Sequence, residues 1–179
     1  MFKKIHELGN QVQMTKSDIK DVKKGLSKSF PALEEFMEDI IPKKAVLYSM
    51  KLKMNEKAEL TLLDNTVICF KIGKQIFPSL WLLHQYPHIL PHFQVDKGAI
   101  RFVLAGANIM CPGLTSPGGQ MAEVESGSIV AIHGEGKQHA LGIGIAIMST
   151  EEIRTKNKDI GVNTVQYAGD DLWKLDLTK

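Results

Sequence analysis

The stretch from Val95 to Leu114, VDKGAIRFVLAGANIMCPGL, decides how this chain is read. Asp96 can cap a helix that begins at Lys97, in which Ala99, Ile100 and Val103 recur at helical spacing while Lys97 and Arg101 point outward. Gly106 falls where helices commonly end on a left-handed residue. Ala107 and Asn108 open a strand, and Pro112-Gly113 closes it. A helix–glycine–strand junction leaves a shallow groove floored by small side chains. A nucleic-acid backbone can approach such a floor closely, because glycine and alanine project so little.

Twelve of the fifteen glycines follow residue 94, and short apolar runs between glycine turns suggest a small barrel or sandwich. A helix is expected over Lys97–Ala105. Strands are expected near Ala107–Met110, Ser128–His133, Ala140–Met148, Asn163–Tyr167 and Leu172–Leu175. Ser149 with Glu152 makes a capping box for a short helix between them.

The first half has a different texture. Ile19, Val22, Leu26 and Phe30 form one helical stripe that Thr15 or Ser17 can cap, with Lys16, Lys20, Lys23, Lys24 and Lys28 on the other face. Pro31 opens a second helix with the stripe Leu33, Phe36, Met37, Ile40 and Ile41, ending at Pro42 before Lys43-Lys44. Residues 45–72 read as strands, with Asp64-Asn65 as a hairpin turn. Pro78 is expected to start an apolar helix reaching Tyr86, with Trp81 in the core. Pro87 and Pro91 then break the chain, which puts a domain boundary near residue 93.

The chain has 179 residues, 44% hydrophobic and 23% charged, which excludes a disordered polypeptide. The net charge of +2 excludes a dedicated polybasic binder, but it is a sum of unlike halves. Residues 1–94 hold 14 basic and 10 acidic groups, and residues 95–179 hold 8 and 10. The two cysteines, Cys69 and Cys111, lie too far apart in sequence for a paired metal spacing and fit a reducing compartment. No leader-like or membrane-spanning apolar run is seen, so a soluble cytoplasmic protein is expected. His84, His88 and His92 recur every four residues, but Pro87 and Pro91 interrupt any helix that would align them on a metal. His133 and His139 are expected to be solvated or hydrogen-bonded beside a turn. The glycines at 142 and 144 lack the third glycine of a dinucleotide loop. No nucleophile–base pairing, cofactor site or metal site is expected.

The run from Val95 resembles the opening of a PUA domain, a small RNA-binding pseudo-barrel, and HALGIGIAIMS at 139–149 resembles its closing strand. The opening MFKK, the PKK at 42–44, LLHQYPHILP at 82–91 and ANIMCPGLTSPG at 107–118 extend the likeness over the whole chain. On these segments the chain is identified as a member of the malignant T-cell-amplified sequence family. The resemblance implies an α+β fold, with an N-terminal α/β pre-PUA domain over 1–93 and a PUA pseudo-barrel over 94–179. It also implies a non-catalytic translation factor. Such a factor pairs with the density-regulated protein on the small ribosomal subunit, releases deacylated tRNA, and supports reinitiation and non-standard delivery of initiator tRNA.

Carried onto this sequence, the groove for RNA or the tRNA acceptor end would use Lys97, Gly98, Arg101, Phe102, Gly106, Ala107 and Asn108, with Gly142 and Gly144 on the closing strand. Phe102 either stacks on a base or packs in the core. Lys20, Lys23, Lys24, Lys43 and Lys44 are candidates for ribosome or partner contact. Two other readings stand beside this one: an RNA-binding subunit of an RNA-modification enzyme, and a protein-interaction adaptor that keeps the fold as scaffold.

Overall fold

A computed structural model of the chain describes residues 1–53 and 57–177. The described residues divide into two compact units: Lys4–Ile89 with residues 175–177, and Leu90–Lys174 with Met1–Lys3. Among the described residues no helix is long and apolar enough to cross a membrane.

The first unit is a five-stranded antiparallel sheet with helices. In chain order it comprises β1 (Glu7–Gln13), α1 (Lys16–Ser29), a 3-10 turn (Pro31–Phe36) running into α2 (Met37–Ile40), β2 (Leu47–Lys53), β3 (Ala58–Leu63), β4 (Thr66–Ile72), β5 (Gln75–Pro78) and α3 (Leu80–Gln85). The strands pair in sequential order. Thr15 caps α1: its hydroxyl accepts the Asp18 N–H at 3.2 Å, and the Asp18 carboxylate accepts the Thr15 N–H at 3.0 Å. Val22 and Leu26 of the expected stripe are buried. Asp64 and Asn65 both adopt positive φ, 48° and 62°, as a two-residue hairpin turn with the twist of its strands requires.

Three features differ from expectation. β1 is unexpected, because it has no apolar alternation; it is tied to β2 by a backbone ladder, interrupted by an irregularity between Leu8 and Gln11, and by the exposed Lys53–Glu7 ion pair at 2.9 Å. Pro78 ends a strand instead of starting a helix. It pairs opposite Cys69, and Ser79 takes over as cap by accepting the Leu82 N–H at 3.0 Å. Trp81 is 42% exposed and lies outside the core, because Leu80, Leu82 and Leu83 fill the buried side of that short helix.

The second unit comprises β6 (His92–Val95), α4 (Ile100–Leu104), β7 (Ile109–Met110), α5 (Cys111–Thr115), β8 (Gln120–Met121), β9 (Ile129–Gly134), β10 (Gly142–Ala146), α6 (Thr150–Lys156) and β11 (Ile160–Tyr167). Its sheet runs β7-β11-β10-β9-β6-β8, with the β6–β9 pair parallel. Phe93, Val103, Leu114, Ile132, Ile153 and Val162 belong to one buried cluster. The Ser149–Glu152 capping box is present, with Glu152 accepting the Ser149 N–H at 2.7 Å. Pro112-Gly113, expected to end a strand, instead sits in the first turn of α5, where a proline costs no hydrogen bond. His133 is buried in β9 with its ring stacked on His92, centroids 3.9 Å apart, and is not a solvated turn residue.

The expected strand at Leu172–Leu175 does not form. The Asp170 carboxylate accepts the N–H groups of Tyr167 at 3.0 Å and Trp173 at 2.8 Å, folding this segment into turns. Burial pushes the Asp170 carboxyl up from 3.8 to about 6, against the pull of those two hydrogen bonds. A carboxyl with a raised folded-state pKa binds its proton more tightly when folded, so its cost is complete above about pH 6 and is relieved as pH falls toward 3.8. Carbon-detected titration is therefore expected to give Asp170 a midpoint near 6. An Asp170→Asn variant should lack the gain in stability that this group supplies between those values.

Candidate functional site

The segment from Asp96 to Ser116 folds around an open groove of about 640 Å³ in the second unit. Asp96 accepts the Ala99 N–H at 2.9 Å and starts the turn into α4. The helix ends in a Schellman motif: Ala107 N–H donates to the Phe102 carbonyl at 2.9 Å and Gly106 N–H to Val103 at 2.8 Å. Gly106 has φ +74°, and a Cβ there would fall 2.4 Å from the Tyr167 ring and 2.5 Å from the Lys3 side chain. Conformation and space therefore both require glycine.

Below this turn the floor is Ala107, Asn108, Ile109 and Met110, facing Gly98, Ala99 and Phe102. The floor is held from β11. The Thr164 hydroxyl donates to the Ala107 carbonyl at 2.8 Å, and the Thr164 N–H donates to Asn108 Oδ1 at 3.0 Å. Asn108 is exposed, so with its oxygen engaged it offers its amide N–H groups to a ligand. Phe102 is 52% exposed, which decides between its two readings: it is a surface ring. The Arg101 guanidinium lies 4.7 Å from its centroid, a cation–π contact that steadies the ring.

The groove thus gathers Gly98, Phe102, Ala107 and Asn108 of the expected set, with Gly106 and Arg101 as the turn and the ring support. Lys97 is exposed, and its backbone N–H donates to Glu135 at 2.9 Å; its side chain does not line the groove. Gly142 and Gly144 do not line it either. Both are buried in β10, where a Cβ would fall 2.5 Å from the Gln166 carbonyl and 2.5 Å from Val162, respectively. Their role is close strand packing. Gly144→Val is expected to lower stability by about 1–3 kcal/mol through overpacking, with RNA affinity per folded molecule unchanged; urea unfolding and titration of the folded fraction check both parts.

Ala99, Met110 and Thr164 were missed. Thr164 carries no local signal because its contacts to Ala107 and Asn108 span more than fifty residues. In the first unit, Lys20, Lys23, Lys43 and Lys44 gather with Lys16 around a separate cleft, whereas exposed Lys24 lies outside it.

Residues 2–87 match the pre-PUA-like domain and residues 91–168 the PUA domain. The chain is 45% identical to human malignant T-cell-amplified sequence 2, covering 98% of each chain. It is 40% identical to translation machinery-associated protein 20 of Eremothecium gossypii, covering 99% of each. Among solved structures, a hypothetical protein of the archaeon Pyrococcus horikoshii is 25% identical, with a TM-score of 0.72 over 92% of this chain and 98% of that one.

Proposed function

Because the chain belongs to the malignant T-cell-amplified sequence family and carries a pre-PUA-like domain followed by a PUA domain, we propose that it is a non-catalytic RNA-binding factor of the translation machinery. The observation that carries this reading is the groove beneath the Schellman turn, small-floored and bordered by an exposed aromatic ring. The groove offers three things to an unpaired RNA end: close backbone approach over Ala107, stacking on Phe102 and amide donors from Asn108. Stacking alone is worth about 1–3 kcal/mol per base. Charge is sparse there, since Arg101 is the cation tied to the ring and Asp96 lines the wall. Recognition is therefore by shape, and free affinity is low.

On this reading the protein works in the cytoplasm with the density-regulated protein on the small ribosomal subunit. The groove of the second unit receives the acceptor end of tRNA there, in release of deacylated tRNA, in reinitiation and in non-standard delivery of initiator tRNA. The first unit, with Lys20, Lys23, Lys24, Lys43 and Lys44, supplies contact to the ribosome or the partner. Sedimentation with purified small subunits, with and without the density-regulated protein, tests it. Co-migration that strengthens with the partner is expected; folded protein that stays in the supernatant under both conditions would refute it.

A further inference from the structure

The first unit contains a cleft of about 470 Å³ whose rim is lysine and whose floor is aliphatic. Lys16, Lys20 and Lys23 reach it from α1, and Lys43 and Lys44 from the loop after α2; Ile19, Pro42 and Val46 form much of the floor. The two sides are fixed by backbone bonds: Met14 N–H to the Leu47 carbonyl at 2.9 Å, and Ala45 N–H to the Pro42 carbonyl at 2.9 Å. Lys23 is paired with Glu38 at 3.0 Å; among the described residues no ion pair engages the other four rim lysines. Val46, at the cleft, is 46% exposed.

We propose that this cleft docks an acidic peptide segment of a partner protein that inserts one aliphatic side chain between the lysines. Converging like charges repel one another, and an anionic ligand relieves that repulsion. The lysine stems extend the apolar floor beneath their charged heads, so a leucine-sized anchor would be desolvated on several sides. Phosphates could use the rim. However, among the described residues no aromatic ring lines this cleft, so bases would find no stacking platform and the floor would stay uncovered. An acidic segment with an aliphatic anchor uses both rim and floor. The inference takes from the proposed function only the existence of a protein partner, and the RNA groove has no part in it.

The test is selection from a random-peptide display library on the full chain, followed by affinity measurements on Lys20→Glu/Lys43→Glu, Val46→Asp and, as control, Lys28→Glu, an exposed lysine of α1 outside the cleft. All four positions are on the surface or at its edge, so the variants should fold. Selected peptides are expected to carry acidic residues around an aliphatic one. Their affinity should fall about tenfold or more in the first two variants and hold in the control. RNA binding by Val46→Asp should equal that of the unaltered chain. The proposal is overturned if no acidic peptide is enriched, if the peptides ignore the cleft variants, or if oligouridylate displaces them from the lysines. Failure here with intact RNA binding would leave the groove reading standing, and loss of RNA binding alone would leave this one.

Discussion

Ala107→Asp and Phe102→Asp are each expected to lower affinity for deacylated tRNA by about tenfold or more while leaving the second unit folded. The two substitutions act on different halves of the contact. A carboxylate at Ala107 rises from the floor where an RNA backbone would pass, where it repels the phosphates at close range and blocks their approach. Removal of the Phe102 ring deletes a stacking surface and frees Arg101 from the position 4.7 Å from its centroid. Neither side chain is in the core: Phe102 is exposed and Ala107 half-buried, so melting temperatures should barely move. Fluorescence anisotropy with deacylated tRNA, beside circular dichroism, reads both quantities. Because the groove holds few cations, the logarithmic salt slope of the unaltered chain should be shallow, near one or two phosphate contacts' worth.

Phe2→Ala is expected to destabilise the second unit by about 3–5 kcal/mol, the range for removing a fully buried phenylalanine ring. Phe2 is 0% exposed and packs with the second unit. Its carbonyl accepts the Asp171 N–H at 2.9 Å, in the turn that Asp170 organises. The next residue, Lys3, lies against the position a Gly106 Cβ would take, so loss of the anchor also loosens one side of the turn above the groove. Lys4→Ala, an exposed neighbour, should change stability by only a few tenths of a kcal/mol. Chemical unfolding of the two variants in a Trp81→Phe background, followed by Trp173 fluorescence, separates a buried anchor from a loosely held residue.

The parts of the fold that were legible in the sequence are those specified by local chemistry. The Thr15 and Ser149 caps, the Asp64-Asn65 turn and the left-handed Gly106 each satisfy their requirement within a few residues. β1 is silent because an edge strand held by a backbone ladder and one exposed ion pair, Lys53–Glu7, needs no apolar alternation. Pro78 misled because proline suits both the end of an edge strand and the start of a helix, and only its pairing with Cys69 decides. Gly98, Phe102, Ala107 and Asn108 line the groove and share one sequence motif, so local sequence alone brings them together. Met110 sits in the same motif but carries only a strand signal, and Thr164 comes from a strand remote in sequence. Gly142 and Gly144 stand apart: resemblance sets them at the RNA, and in the structure both lie in β10 where an added Cβ would meet the neighbouring strand.

The central claim is that an RNA end enters the groove beside Phe102 when the protein is on the ribosome. A photo-crosslinking amino acid at position 102, irradiated with small subunits, the density-regulated protein and deacylated tRNA, tests it most directly. Crosslinks to the last nucleotides of the tRNA acceptor end are expected. Crosslinks confined to protein or ribosomal RNA, in a complex that still co-sediments with tRNA bound, would contradict it.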